Sequence, residues 1–283
     1  MLRIAIQSKG RLYEESMALL EEAGIKIPGG KRTLLVPARN FPVEVLFLRD
    51  DDIPESVASG VADVGIVGLN EVMEKRCPVG ILKKLGFGKC RLSLAIPQDI
   101  DYQDRNWFSG KKIATSYPGI LSDYLHKSGI VSDIHVITGS VEIAPGIRLA
   151  DAIFDIVSSG STLVSNRLKE VETVVESEAV LIGTDSISPE KRGILDELLF
   201  RFDSVQAADD KKYILMNVPQ KKLNDVLSVL PGIKSPTVMP LADKEWCSVH
   251  TVLDEKCFWE IINRLKTAGA EGILVLDIEK MIL

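Results

Sequence analysis

Short apolar runs alternate with longer segments in which apolar residues return every three or four positions, and this rhythm organises most of the chain. It predicts strands at Leu2 to Ile6, Val43 to Leu48, Val61 to Val67, Cys90 to Pro97, Lys112 to Thr115, Ile134 to Ile137 and about 153 to 157. Between them fall helical stretches. One carries Leu12, Met17, Leu19 and Leu20; another starts near Ile53-Pro54, where Asp52 with Glu55 reads as a capping box; a third runs from Pro189 to about Phe202. Strands alternating with helices predict an α/β protein with mainly parallel sheets. Ligands in such folds bind outside the carboxyl ends of the strands. The loops expected there are Gln7 to Arg11, Arg49 to Asp52, Gly68 to Glu71, Ser116 to Pro118, Gly139-Ser140 and Ser158 to Thr162, the most polar and charged segments of the chain.

From about 210 onward the pattern changes. Tyr213 to Val218 reads as a strand, Leu223 to Leu230 as a helix, Thr237 to Leu241 and Cys247 to Leu253 as two strands, Cys257 to Lys266 as a helix and Gly272 to Ile278 as a strand. This βαββαβ order predicts a ferredoxin-like, ACT-like module that folds by itself.

Composition narrows the function. The 283 residues exceed one ordinary core, and 26% charged beside 46% hydrophobic residues marks a globular chain. A net charge of −6 with no basic run argues against a nucleic-acid partner. No apolar run is long enough for a membrane span and no basic-then-apolar leader is seen, so a cytoplasmic, non-membrane protein is expected. Cys77, Cys90, Cys247 and Cys257 form no CxxC pair and His126, His135 and His250 are scattered, giving neither a zinc site nor a disulfide framework.

Asp151 to Leu163 is the richest segment. Asp151 and Asp155 alternate with apolar residues on an expected strand that ends at Ser158-Ser159-Gly160-Ser161-Thr162. Hydroxyls and closely spaced N–H groups around a glycine suit an anion, and carboxylates just before them suit ribose hydroxyls or a magnesium ion. SSGST alone reads as a polar turn; the acidic prelude turns the reading toward a sugar phosphate. Lys9 and Arg11, after a strand and before a helix, supply local positive charge for polyanions. Tyr117 reads equally as a packed turn aromatic or a platform for an adenine ring.

Extended leftward to Glu142, the segment EIAPGIRLADAIFDIVSSGSTL resembles the signature of the ATP phosphoribosyltransferases, as do RIAIQSKGRL, RDDDIP, CRLSLAIP, KIATSYP and ILVLDIEKM. Arg148 stands where that family usually has glycine. The resemblance implies a two-lobed catalytic region like the periplasmic binding proteins, with lobe I over 1–92 plus about 183–209, lobe II over 93–182, and a regulatory domain over 210–283. It implies that Mg2+, ATP and phosphoribosyl pyrophosphate meet between the lobes. Phosphoribosyl pyrophosphate would fall to Asp155, Ser158, Ser159, Gly160, Ser161 and Thr162. ATP would fall to Lys9, Gly10, Arg11, Arg49, Asp50, Ser116 and Tyr117. Asp155, Glu142 and Asp151 are the candidate catalytic carboxylates, with Glu142 or Asp151 touching a metal held mainly by substrate. The tail marks the long form of the family, inhibited by L-histidine, for which turns at Ser235 to Thr237 and Gly269 to Gly272 make Thr237 and Gly272 candidate contacts. A homodimer and homohexamer are implied as well.

Two other classes compete. A two-lobed binding or sensor protein would share the fold without chemistry. A dinucleotide-dependent dehydrogenase needs a G-x-G-x-x-G turn after its first strand, which residues 7–12 lack.

Overall fold

The computed structural model describes residues 1–28, 34–231 and 236–283. The chain runs through β1 (Leu2–Gln7), α1 (Arg11–Glu22), β2 (Leu35–Pro37), β3 (Val43–Leu48), α2 (Ile53–Ala58), β4 (Val64–Gly68), α3 (Leu69–Lys75) and β5 (Gly80–Lys84). It continues through β6 (Cys90–Pro97), β7 (Lys112–Thr115), α4 (Pro118–Ser128), β8 (Asp133–Val136), β9 (Ala152–Val157), α5 (Ser161–Ser165), β10 (Leu168–Ser177), β11 (Ala179–Gly183) and α6 (Pro189–Ala208). The last elements are β12 (Lys211–Pro219), α7 (Leu223–Val229), β13 (Thr237–Pro240), β14 (Trp246–Asp254), α8 (Glu255–Ala268) and β15 (Glu271–Asp277). They fall into two compact units, Met1–Leu198 and Leu199–Leu283.

The first unit holds two sheets, ordered β2-β3-β1-β4-β11-β5 and β10-β6-β9-β7-β8. Strands β1, β3 and β4 are parallel, as are β7, β8 and β9. The chain crosses between the sheets at Leu85 to Lys89 and again at Glu178, the two-strand connection of a two-lobed α/β fold. These crossings move the expected lobe boundaries. All of Cys90–Pro97 belongs to the second sheet, and Ala179–Gly183 returns to the first because its buried residues pair with both β4 and β5.

Apolar alternation explains the cores. In the first lobe Ala5, Ile53, Val57, Val67, Val180 and Ile182 pack together; in the second, Leu92, Leu94, Ile113, Leu121 and Phe154 do. The expected strand from Val61 starts only at Val64. Asp63 is taken instead as a turn anchor, accepting from the Arg3 backbone N–H (2.8 Å) and the Lys191 ammonium (2.9 and 2.8 Å). The Asp52 capping box does not form either. A 3-10 turn over Asp50–Asp52 leads straight into α2, so Asp52 already has helical angles and its side chain makes no cap hydrogen bond.

In the second unit α7 and α8 cover one face of an antiparallel sheet ordered β13-β14-β12-β15, the ferredoxin-like arrangement. Ile214, Met216, Val218, Val249, Phe258, Ile261 and Leu265 form its core.

Arg148 has φ +60, the left-handed region in which a side chain is strained and glycine is not. Arg148→Gly is therefore expected to stabilise the protein by about 1 kcal/mol, strain relief of ~1–3 kcal/mol less the extra entropy of glycine. A thermal melt that fails to rise would show that the arginine makes compensating contacts.

Candidate functional site

The site lies at the carboxyl ends of the parallel strands of both lobes. After β1 come Lys9, Gly10 and Arg11; after β3, Arg49 and Asp50; after β7, Ser116 and Tyr117; after β9, the Ser158 to Thr162 loop. Gly10 has φ +90 and opens α1, at whose first turn Arg11 pairs with Glu15 at 3.0 Å. Burial pushes up the Cys90 thiol at the crossing between lobes, against a hydrogen bond with Ser177 and the charge of Arg11. Arg49 is largely exposed and pairs with Asp51 at 3.2 Å. Burial pushes up the Tyr117 phenol, with Glu71 adding most to it and the charges of Asp155 and Asp50 less.

Asp155 stands half-buried near the end of β9, opposite Ser93 on β6. Burial, with the nearby charge of Glu142 adding to it, pushes its carboxyl up to about 6, although the Ile156 N–H donates to it at 2.8 Å. Glu142 sits on the 3-10 turn Val141–Ile143 that packs against β9. Asp155 and Glu142 thus form the acidic pair of the second lobe. Asp151 does not join them. It precedes the other end of β9, about 13 Å away along a strand rising ~3.3 Å per residue, and its carboxylate accepts from the Lys112 N–H at 2.9 Å.

Beyond Asp155 the chain turns through Gly160, φ +81, into α5. The Ser159 and Ser161 hydroxyls lie 3.0 Å apart, and the first turn of α5 carries backbone N–H groups that have no partner within the helix. A Cβ on Gly160 would meet no protein atom within 4 Å, so the space over this turn is open.

Sequence reasoning left Tyr117 undecided, and the packing decides it. The ring is 7% exposed within the second lobe's core and offers no open face to an adenine. Its hydroxyl donates to Glu71 (2.9 Å) and accepts from Asn70 (3.2 Å), both on α3 of the other lobe. Asn70 in turn accepts from the Ser177 hydroxyl at 2.8 Å. Gly68 leaves room for this side chain, since a Cβ there would lie 2.3 Å from the Asn70 side-chain oxygen. Burial raises the Glu71 carboxyl above the ordinary range. Glu74 adds a second link, accepting from the Gly119 and Ile120 N–H groups at 2.8 and 2.9 Å. This buried network between the lobes escaped sequence reading because its members lie over 40 residues apart. Tyr117→Phe leaves Glu71 and Asn70 short of a partner and is expected to cost about 1–3 kcal/mol. A melting temperature equal to wild type would show that water replaces the hydroxyl. Ser116, by contrast, donates to the Ile137 carbonyl at 2.7 Å and remains half-buried at the mouth of the loop cluster.

Among the described residues no three His, Cys, Asp or Glu side chains gather into a metal site. In the second unit a cavity of about 810 Å³ is lined by Asp209, Tyr213, Thr237, His250 and Asp254 among others. Thr237 lies on its wall, while Gly272 belongs to the opposite edge strand, three strand spacings or about 14 Å away. The two candidate effector contacts therefore do not meet within one copy of the chain. Ser235 lies outside the described residues.

The fold is that of a two-lobed α/β protein with a ferredoxin-like C-terminal domain, its candidate site a loop cluster suited to phosphate groups. Residues 49–204 match the family of ATP phosphoribosyltransferase (HisG), and residues 208–280 match the HisG C-terminal domain. An ATP phosphoribosyltransferase of Bacteroides fragilis is 70% identical over 283 residues, all of both chains, and one of Cytophaga hutchinsonii is 57% identical over 99% of this chain and 98% of its own. The ATP phosphoribosyl transferase (HisG:HisZ) complex from Thermotoga maritima superposes with a TM-score of 0.62 at 27% identity, covering 71% of this chain and 96% of that one. The chain belongs to the ATP phosphoribosyltransferase family.

Proposed function

We propose that this chain transfers the phosphoribosyl group of phosphoribosyl pyrophosphate to N1 of the adenine of ATP, releasing pyrophosphate, with L-histidine as a feedback inhibitor. The C1–O bond to pyrophosphate breaks and its electron pair leaves with the pyrophosphate, while the N1 lone pair forms the new C1–N bond. No protein nucleophile is needed; the work is to align two polyanions and stabilise charge as it separates. The observation that carries this reading is the half-buried Asp155 three residues ahead of an open hydroxyl and N–H loop at the end of β9.

In this reading Asp155 accepts a hydrogen bond from a ribose hydroxyl and Ser158 to Thr162 hold the 5-phosphate. Lys9, Gly10, Arg11, Arg49, Asp50 and Ser116 receive ATP, and Tyr117 sets the spacing of the lobes. Asp155 and Glu142 are hard oxygen donors close enough to feel each other's charge, which fits Mg2+ bound by one or two carboxylates and otherwise by substrate. The ion would neutralise the departing pyrophosphate. Thr237 and His250 line the cavity proposed for histidine, whose carboxylate side chains suit an ammonium group. Assembly as a homodimer or homohexamer is part of the same proposal.

The decisive experiment measures pyrophosphate release with each substrate alone and with both. Release requiring ATP and phosphoribosyl pyrophosphate together is expected; binding of either without turnover would favour the sensor alternative. Gly160→Val tests the loop. A branched residue at φ +81 is strained by about 1–3 kcal/mol although its side chain meets open space, so the protein is expected to fold and use phosphoribosyl pyrophosphate poorly. Wild-type kinetics would reduce the loop to a turn.

A further inference from the structure

We propose that Arg91, clamped by Glu170, is a positioning residue for the phosphoribosyl pyrophosphate loop. The inference rests on the reading that Ser158 to Thr162 bind the 5-phosphate. Arg91, the second residue of β6, pairs with Val157, the last residue of β9, so its side chain lies beside the point where the loop leaves the sheet. One guanidinium nitrogen, Nη1, donates to the Ser158 carbonyl at 3.2 Å. The other two, Nε and Nη2, donate to the two carboxylate oxygens of Glu170 on β10 at 2.6 and 2.5 Å. Such a fork-to-fork pair fixes the plane of the guanidinium, and with it the direction of the third donor.

The backbone of β10 is shaped to make this clamp. Glu170 and Thr173 are three apart and would face opposite sides of a regular strand. Their partners Ala95 and Ser93 are two apart, because a bulge between Glu170 and Glu172 inserts one residue. Both side chains therefore share the face that carries Ser93, Asp155 and Arg91. The Ser93 and Thr173 hydroxyls donate to Glu170 at 2.7 and 3.1 Å. Arg91 holds the Glu170 carboxyl down at about 2, so it stays charged wherever the enzyme works. A surface ion pair that merely tied β6 to β10 would need neither the two hydroxyls nor the third contact on Ser158.

Arg91→Lys keeps the charge but supplies a point donor that cannot hold both Glu170 oxygens and the carbonyl. Glu170→Gln keeps the shape and releases the arginine. Steady-state kinetics of both variants are expected to show KM for phosphoribosyl pyrophosphate raised about tenfold, KM for ATP within twofold and the melting temperature little changed. The double variant should be no worse than the worse single one, since both act through one clamp. If the lysine variant fails to fold, Glu170→Gln alone decides. Kinetics unchanged with a lowered melting point would make the clamp a strut of the sheet and overturn the proposal, as would equal rises in both KM values. Gly160→Val separates the two ideas. Impairment there without impairment at Arg91 and Glu170 overturns the clamp alone; wild-type use of phosphoribosyl pyrophosphate by Gly160→Val overturns the loop reading and the clamp with it.

Discussion

Asp155→Asn is expected to lower kcat/KM for phosphoribosyl pyrophosphate about 10- to 150-fold, the loss of a charged hydrogen bond worth ~1.5–3 kcal/mol, while KM for ATP stays nearly intact. The substitution keeps the shape of a residue opposite Ser93 and removes only its charge. Its pH signature is sharper than its magnitude. Burial, with Glu142, holds the carboxyl at about 6, so wild-type use of phosphoribosyl pyrophosphate should fall as pH drops through 6, when the acceptor becomes protonated. The asparagine enzyme should lack that limb. Stability runs the other way. Between an unfolded value near ~3.9 and the folded value of about 6, the folded protein binds more protons than the unfolded one, so this group's contribution falls as pH rises through that window. Unfolding and activity profiles measured side by side should show the two opposed trends in wild type and neither in the variant. Identical profiles in both proteins would remove Asp155 from the site.

Removing residues from about 210 onward is expected to abolish inhibition by histidine. All the proposed phosphate contacts precede residue 163, and the tail has its own sheet and core. A coupling of ~1–3 kcal/mol, or 5- to 150-fold in affinity, is what the tail would transmit. The cut also removes Met281, whose N–H donates to the Ser204 carbonyl of α6 at 2.8 Å, near the fully buried Phe202. A less stable truncate is therefore expected. Thr237→Trp in the full chain is the companion variant, filling the cavity from an exposed edge position. Undiminished histidine inhibition in a folded, active truncate, or an unaltered inhibition constant in Thr237→Trp, would place the effector elsewhere.

Periodicity alone located the parallel strands, the polar loops at their carboxyl ends and the βαββαβ tail, because burial on a sheet or helix face imposes a local rhythm on side chains. The carboxylate and loop at Asp155 to Thr162 are neighbours in sequence, so they could be read together as a candidate site. Relations between distant segments were settled only by tertiary structure. Asp151 and Asp155 look alike in sequence, yet they stand at opposite ends of β9, and only Asp155 lies at the end from which the loop departs. Tyr117 reads equally as a packed turn aromatic or a platform, and tertiary packing buries it against Glu71. The longest strand of the first unit, Leu168–Ser177, has no clean alternation because two register shifts interrupt it, and those same irregularities carry Glu170 to Arg91. A bulge is stabilised by the neighbouring strand it fits, so its reason lies in the sheet and not in the segment that contains it.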